Sequence, residues 1–454
     1  AEDDQNNDEL ALETPFVPTY KSGSYGEFLQ NNARTLDDVE DGKRFYADVA
    51  NPKSASDNVT KETITSDDNI TVDNVIVTQE TGYVEFNLTV PSTGIYVLGI
   101  DYLTYGGKGG NIERKITVNG QLQYTEAATA LLDRYFVDEN ALEHDFDPAY
   151  YFTEDSAGNQ SRGAQVERKV WLNDSYFLDS TRSYSEPLKF VLNAGTNVIR
   201  LDSVRESVAI KSLYAYTVPL DRSYSDFLYE YGDQVVTTEQ VKDHEGWEDG
   251  SVRIQAEYPT GKNQAMLYAS FDRASAATEP PSSSSLKLNI MGGDRWKTIG
   301  QWVEYKVTVP KSGLYKISMR YRQNLASGIF SSREITVNGE LAYDENIVAF
   351  PYGGNWGVTT PTDSLGDPVL YYFHEGENTI RVKAVSGQLS DLLNTMSNVT
   401  NDLQNDYIKI TAITGPDPDE FQDYNFNELI PEVILDLKAQ GDLLSQIYDR
   451  LYSI

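Results

Sequence analysis

The chain has no cysteine, only three histidines and four methionines. It also has no apolar run of the roughly 18–20 residues that a membrane-spanning helix needs. Without cysteine there is no disulfide, no thiolate nucleophile and no Cys-ligated zinc. The histidines, His144, His244 and His374, are too far apart to give the paired spacing of a zinc motif. Basic residues are scarce: 37 Lys and Arg stand against 70 Asp and Glu, for a net charge of −33. A surface of that sign repels nucleic acid and anionic lipid. It suits cations, neutral ligands and high solubility. No nucleophile elbow and no glycine-rich phosphate loop occurs. With so many carboxylates, a pair at glycosidase spacing arises somewhere by chance and carries no weight. His144 among Glu143, Asp145 and Asp147 reads as an acidic surface loop. The expectation is a protein that is not an enzyme.

What is present is repetition. Val84-Glu85-Phe86 and Thr89-Val90-Pro91 recur as Val303-Glu304-Tyr305 and Thr308-Val309-Pro310, a shift of 219 positions. The same shift carries Ile116-Thr117-Val118-Asn119-Gly120 onto Ile335-Thr336-Val337-Asn338-Gly339. Gly195-Thr196-Asn197-Val198-Ile199-Arg200 recurs as Gly376-Glu377-Asn378-Thr379-Ile380-Arg381 at a shift of 181, which is 38 less. A shared period of this kind means two copies of one structural unit. The first copy carries the extra residues as an insertion over about 121–190, rich in acidic and aromatic residues. Long insertions belong at the surface, where loop closure costs little more. Its aromatics are expected to form a small core of their own.

Within each copy apolar and polar residues alternate, as in Val84, Phe86, Leu88 and Val90, which is the pattern of half-buried strands. Asn119-Gly120 and Asn338-Gly339 have the composition of type I′ hairpin turns. The expected fold is mainly β: two tandem β-sandwiches, over 21–218 and 221–415, after a loose leader at 1–20. Short helical turns at Tyr25–Leu29 and Tyr224–Leu228 would open each copy. Residues 416–454 change character. Asn427, Pro431 and apolar residues at helical spacing predict a helical segment, broken near Gly441.

The second copy resembles a carbohydrate-binding module of the family 6 and family 35 type. The resemblance lies in Ile254-Gln255-Ala256-Glu257, Gly300-Gln301-Trp302-Val303-Glu304-Tyr305, Val309-Pro310-Lys311-Ser312-Gly313-Leu314-Tyr315 and Asp406-Tyr407-Ile408-Lys409-Ile410. It implies a galactose-binding-like jelly roll. The first copy shares the strands but has Ala47-Asp48 where the second has Ala256-Glu257. The whole chain resembles the N-terminal half of large extracellular solute-binding lipoproteins of Gram-positive bacteria, through its paired copies, Ser156-Ala157-Gly158-Asn159 leading to Trp171, and its closing helix. That implies a secreted or cell-surface setting, a lipid anchor on a removed N-terminal segment, and a downstream solute-binding domain or transporter as partner. The acidic stretch from Ala1 reads as a mature end left by leader removal, or as an arbitrary boundary.

The same resemblance implies a structural Ca²⁺ ion tying the first strand of a copy to its last. The matching oxygen donors are Gln255, Glu257 and Asp406, with Asp48 as the counterpart in the first copy. It implies a glycan ligand on loops at one edge of the sandwich. Pro351-Tyr352-Gly353-Gly354-Asn355-Trp356-Gly357 suits that role: glycines allow a sharp bend, Trp356 offers a stacking face, and Tyr352 and Asn355 offer hydrogen bonds. Trp296 is a second candidate, and Trp171 and Tyr150 mark a second surface in the insertion. Trp302 alternates with strand residues and reads as core or sheet face. The functional expectation is extracellular, non-catalytic glycan binding that serves sugar uptake, with a spacer or protein-docking role as the alternative.

Overall fold

The computed structural model describes residues 21–32, 42–217, 223–325, 327–339, 346–363 and 365–453. The leader expected over 1–20 lies outside the described residues. Residues 28–387 form one compact unit, and the C-terminal helices belong to another. The first unit is mainly β.

Two sheets face each other in the first copy. One has five strands, in the order Ser54–Ala55, Tyr83–Val90, Gly195–Arg205, Ile112–Val118 and Ala130–Leu132. The other has seven, with Gly94–Thr104 and Val208–Tyr216 paired at its centre. Alternation explains the pairing of faces: Val84, Phe86, Leu88 and Val90 are all buried, while Asn87 and Thr89 between them are exposed.

The central strands of the second copy keep the registers of the first. Gly195 pairs with Val90 and Ile199 with Val118; Gly376 pairs with Val309 and Ile380 with Val337. Asn119 and Asn338 take left-handed φ values of 52° and 54°, as a type I′ turn requires. Each also donates a side-chain hydrogen bond to a buried asparagine, Asn197 or Asn378, at 3.0 and 2.9 Å. Both buried amides close their loops identically: Asn197 Nδ2 donates to the Asn193 carbonyl, and Asn378 Nδ2 to the His374 carbonyl. The helices Tyr25–Asn32 and Tyr224–Tyr231 stand where helical turns were expected, the second capped by Ser223.

The copies differ at their last strand. In the first, Val208–Tyr216 lies between Gly94–Thr104 and Thr71–Thr78. In the second, the chain leaves Gly376–Val385 and enters the 25-residue helix Ser390–Thr414. The segment Asp406–Ile410, read as a closing strand, is therefore helical, and the β unit ends near 387 rather than 415. Buried Leu392, Thr395, Val399 and Asp406 explain this, since their spacing of three, four and seven is that of a helix-packing stripe. The partner helix is Pro431–Ser453, which buries Val433, Gln440 and Ile447 at intervals of seven. It runs through Gly441 without a break, and Gln440 Nε2 donates to Asp402 at 3.3 Å. Asn427, expected as a cap, lies inside the short helix Phe426–Leu429, and Asn425 before that helix makes no side-chain cap hydrogen bond.

The insertion is not a separate little core. Phe136–Asp138 and Gln165–Glu167 leave the first copy and extend the sheet of the second, Phe136 pairing with Lys262 at the edge strand Gly261–Lys262. Tyr135 donates to Glu304 at 3.1 Å, Tyr151 donates to the Pro259 carbonyl at 3.2 Å, and Trp302 Nε1 donates to Asp133 at 2.9 Å. On the other side, buried Arg134 pairs with Glu206 of the first copy at 2.9 Å. An otherwise bare sheet edge is thus covered, and the copies are joined by a short backbone pairing.

Candidate functional site

The loop 351–357 follows the strand Ile347–Phe350 and runs into Gly357–Thr359, which pairs with Met319–Tyr321. Its bend is pinned where the Gly353 amide donates to the Gln323 carbonyl at 2.7 Å. Trp356 is half-buried, with Tyr352 and Asn355 exposed beside it. Two residues that sequence reasoning missed fix the indole. Its Nε1–H donates to Asp272 Oδ2 at 2.9 Å, and the Arg322 guanidinium lies over the ring, 5.0 Å from the centroid. Arg322 also pairs with Asp272 at 2.8 Å, closing a triangle. Asp272 stands 84 positions from Trp356, so no local motif could have signalled it.

The triangle is electrostatically stable. Burial pushes the Asp272 carboxyl upward, but the Trp356 N–H, the Ala274 amide and the Arg322 guanidinium outweigh it. The carboxyl is held below its ordinary value, so the anchor stays ionised at neutral pH. A charge-assisted, doubly held tryptophan loses little freedom when a ligand arrives. Such a loop can stack on an apolar ring face and hydrogen-bond to hydroxyls.

The other aromatic candidates are placed elsewhere. Trp171 is 7% exposed and packs with Ile64, Val75, Val77 and Leu103, its indole donating to the Ile70 carbonyl. It is a core residue of the first copy and not a ligand contact. Trp296 is half-buried against the second copy's core, its N–H spent on the Gln301 carbonyl and its ring under Arg333. Tyr150 is exposed and stacks on His144 at 4.2 Å, away from Trp171 in the core. Trp302 is buried, as its place in the strand alternation predicts, and Arg381 covers its ring.

The calcium set does not assemble as read. Asp406 lies on a helix and not on a closing strand. Gln255 gives its amide N–H to Glu279 at 3.0 Å, and exposed Asp48 accepts from Asn51. Among the described residues no three His, Cys, Asp or Glu side chains gather as a metal site. Glu257 is the one unusual member: it is 3% exposed, and its Oε1 is buried without a hydrogen-bond partner. Burial pushes its carboxyl up to about 7, with the neighbouring Glu279 adding to the effect.

No family model matches the chain, and no curated protein matches it. Among solved structures it is similar to a family 35 carbohydrate-binding module from Clostridium thermocellum, at 17% identity over 39% of this chain and 100% of that one, with a TM-score of 0.21. It is similar to the CBM35 from Cellvibrio japonicus Abf62 at 12% identity, over 40% and 91% of the two chains, with a TM-score of 0.20. It is also similar to the cycloalternan-forming enzyme from Listeria monocytogenes in complex with a pentasaccharide substrate, at 11% identity, over 72% of this chain and 20% of the enzyme, with a TM-score of 0.20.

Proposed function

We propose that the chain is a non-catalytic carbohydrate-binding protein whose ligand surface is the loop carrying Tyr352, Asn355 and Trp356. The observation that carries this reading is the anchored, half-exposed Trp356, held by Asp272 and Arg322 on a glycine-bent loop. A structural tryptophan could simply be buried; this one is oriented by a charged pair and still meets solvent. In this reading the protein works outside the cell, holding it to polysaccharide or passing sugar to an uptake system. A downstream solute-binding domain or transporter would be its partner. No step of the reading passes through a metal ion.

A glycan array and affinity gels on the intact chain, with and without Ca²⁺, test it. Binding to one polysaccharide class should appear, and Trp356→Ala should weaken it about thirtyfold or more, the effect of losing a hot-spot aromatic. Asp272→Asn should weaken it less, because the indole loses its anchor but keeps its ring. Binding that is unchanged in a folded Trp356→Ala protein would remove this loop from the reading. Binding that falls on chelation would bring calcium back at a site other than the triad read from sequence.

A second reading, protein docking, draws on exposed apolar side chains of the C-terminal helices, among them Tyr407, Ile408 and Leu435. A folded sample that binds no glycan would favour it.

A further inference from the structure

A cleft of about 540 Å³ lies between the insertion and the second copy. The hairpin Phe152–Glu154 and Gln160–Arg162 forms one wall, and Tyr268, Ser270 and Arg295 form the other. The hairpin wall is rigidly tied: the Gln160 amide donates to the Leu286 carbonyl at 2.8 Å, and the Leu288 amide donates to Gln160 Oε1 at 2.9 Å. Into this cleft two arginines converge on one ring. Arg162 Cζ lies 3.6 Å from the Tyr268 centroid and Arg295 Cζ lies 4.5 Å from it.

Among the described residues Arg44, Arg134, Arg200, Arg322 and Arg381 each have a carboxylate partner. Among the described residues no carboxylate pairs with Arg162 or Arg295. Glu154 on the hairpin is ion-paired with Lys287 at 2.7 Å and Asp272 with Arg322, while Asp138, beside Gly163 of the lining, accepts from Gln165 at 2.7 Å. A guanidinium stacked on a ring keeps its N–H edge available for a planar or tetrahedral oxyanion. Arg295 spends part of that edge locally: a hydrogen bond from it holds the Tyr268 hydroxyl below the ordinary phenol value, and its Nη1 donates to Ser270 Oγ at 3.4 Å.

We propose that this cleft binds a small ligand through a single oxyanion group, received by Arg162 and Arg295, with Tyr268 as its floor. The net charge of −33 disfavours a polyanion, so the ligand is short and singly substituted. No residue of the loop 351–357 lines this cleft, and the proposal stands whether or not that loop binds glycan.

The test is calorimetric titration of the intact chain with sodium sulfate, sodium phosphate, glucose 6-phosphate and glucose, at ionic strength held constant with NaCl. Saturable one-to-one binding of an oxyanion probe is expected, with glucose silent. Arg162→Gln and Arg295→Gln should each weaken it about tenfold or more, the cost of a charge-assisted hydrogen bond. Trp356→Ala should leave it unchanged. Equal affinity for phosphate and glucose 6-phosphate would assign the site to a free anion; tighter glucose 6-phosphate would assign it to an anion carried on a sugar. No saturable binding, or equal binding by the folded double variant, would overturn the proposal. So would a sulfate-induced rise in melting temperature shared by wild type and double variant, which is general exclusion of the salt from protein surface.

Discussion

Glu257 shows how far one residue's environment decides its chemistry. It was read from the sequence as an ionised metal donor, but its carboxyl is buried, one oxygen has no partner, and its pKa lies at about 7. Between its ordinary value of 4.5 and about 7, the folded chain holds a proton that the unfolded chain has lost. Folding stability therefore falls as pH rises through that window and is flat beyond it. The loss should be roughly 2–4 kcal/mol, from 1.36 kcal/mol per pKa unit. Thermal melts from pH 4 to pH 8 should show the decline in wild type and its absence in Glu257→Gln. A wild-type profile already flat across this range would mean that Glu257 is solvated. Asp272 is the opposite case: its carboxyl is depressed, so the Trp356 anchor persists until pH falls below the ordinary aspartate range of about 3.9. Both are lone acids among neutral and basic neighbours, and their difference is invisible in the sequence. Trp171 and Trp356 diverge for the same reason, since burial depends on what the other strands bring.

At the scale of elements, the asparagine turns were legible and the closing strand was not. Asn-Gly composition selects a left-handed turn, and the repeated Gly-x-Asn at 195–197 and 376–378 supplies the buried amide that receives it. Asn119→Ala removes a donor to Asn197, an acceptor for the Val198 amide at 2.8 Å, and a residue that tolerates φ of 52°. We expect a loss of about 1–3 kcal/mol, read from the urea midpoint. Asn338→Ala should behave alike, because its bonds are the same. A loss below about 0.5 kcal/mol, the size of an ordinary surface change, would show that the turn closes without the amide. The five residues Asp406–Ile410, by contrast, are too few to separate period two from period 3.6. Only the longer stripe from Leu392 to Asp406, packed on Val433 and Gln440, shows which period governs.

For the whole β unit, the decisive feature is the seam made by the insertion. Gly261 sits where an added Cβ would lie 2.0 Å from the Tyr135 hydroxyl oxygen, on the edge strand whose Lys262 pairs with Phe136. Gly261→Ala should therefore cost about 1–3 kcal/mol through overpacking. Calorimetry should show one unfolding transition for residues 28–387 in wild type. The variant should melt lower, and Tyr135→Ala in the same chain should restore part of the loss. Two separate transitions in wild type would mean that the copies fold independently and the seam contributes little.

The sequence by itself determined the mainly β class, the repeated strand pattern and the Asn-Gly turns, because these depend on local periodicity and on conformational preference. Tertiary structure alone decided where the insertion docks, that Asp406 is helical, that Trp171 is core, and that Asp272 and Arg322 hold Trp356. Each of these depends on residues distant in the chain meeting across sheets or helices, where burial and ion pairing compete, and no local pattern encodes that competition.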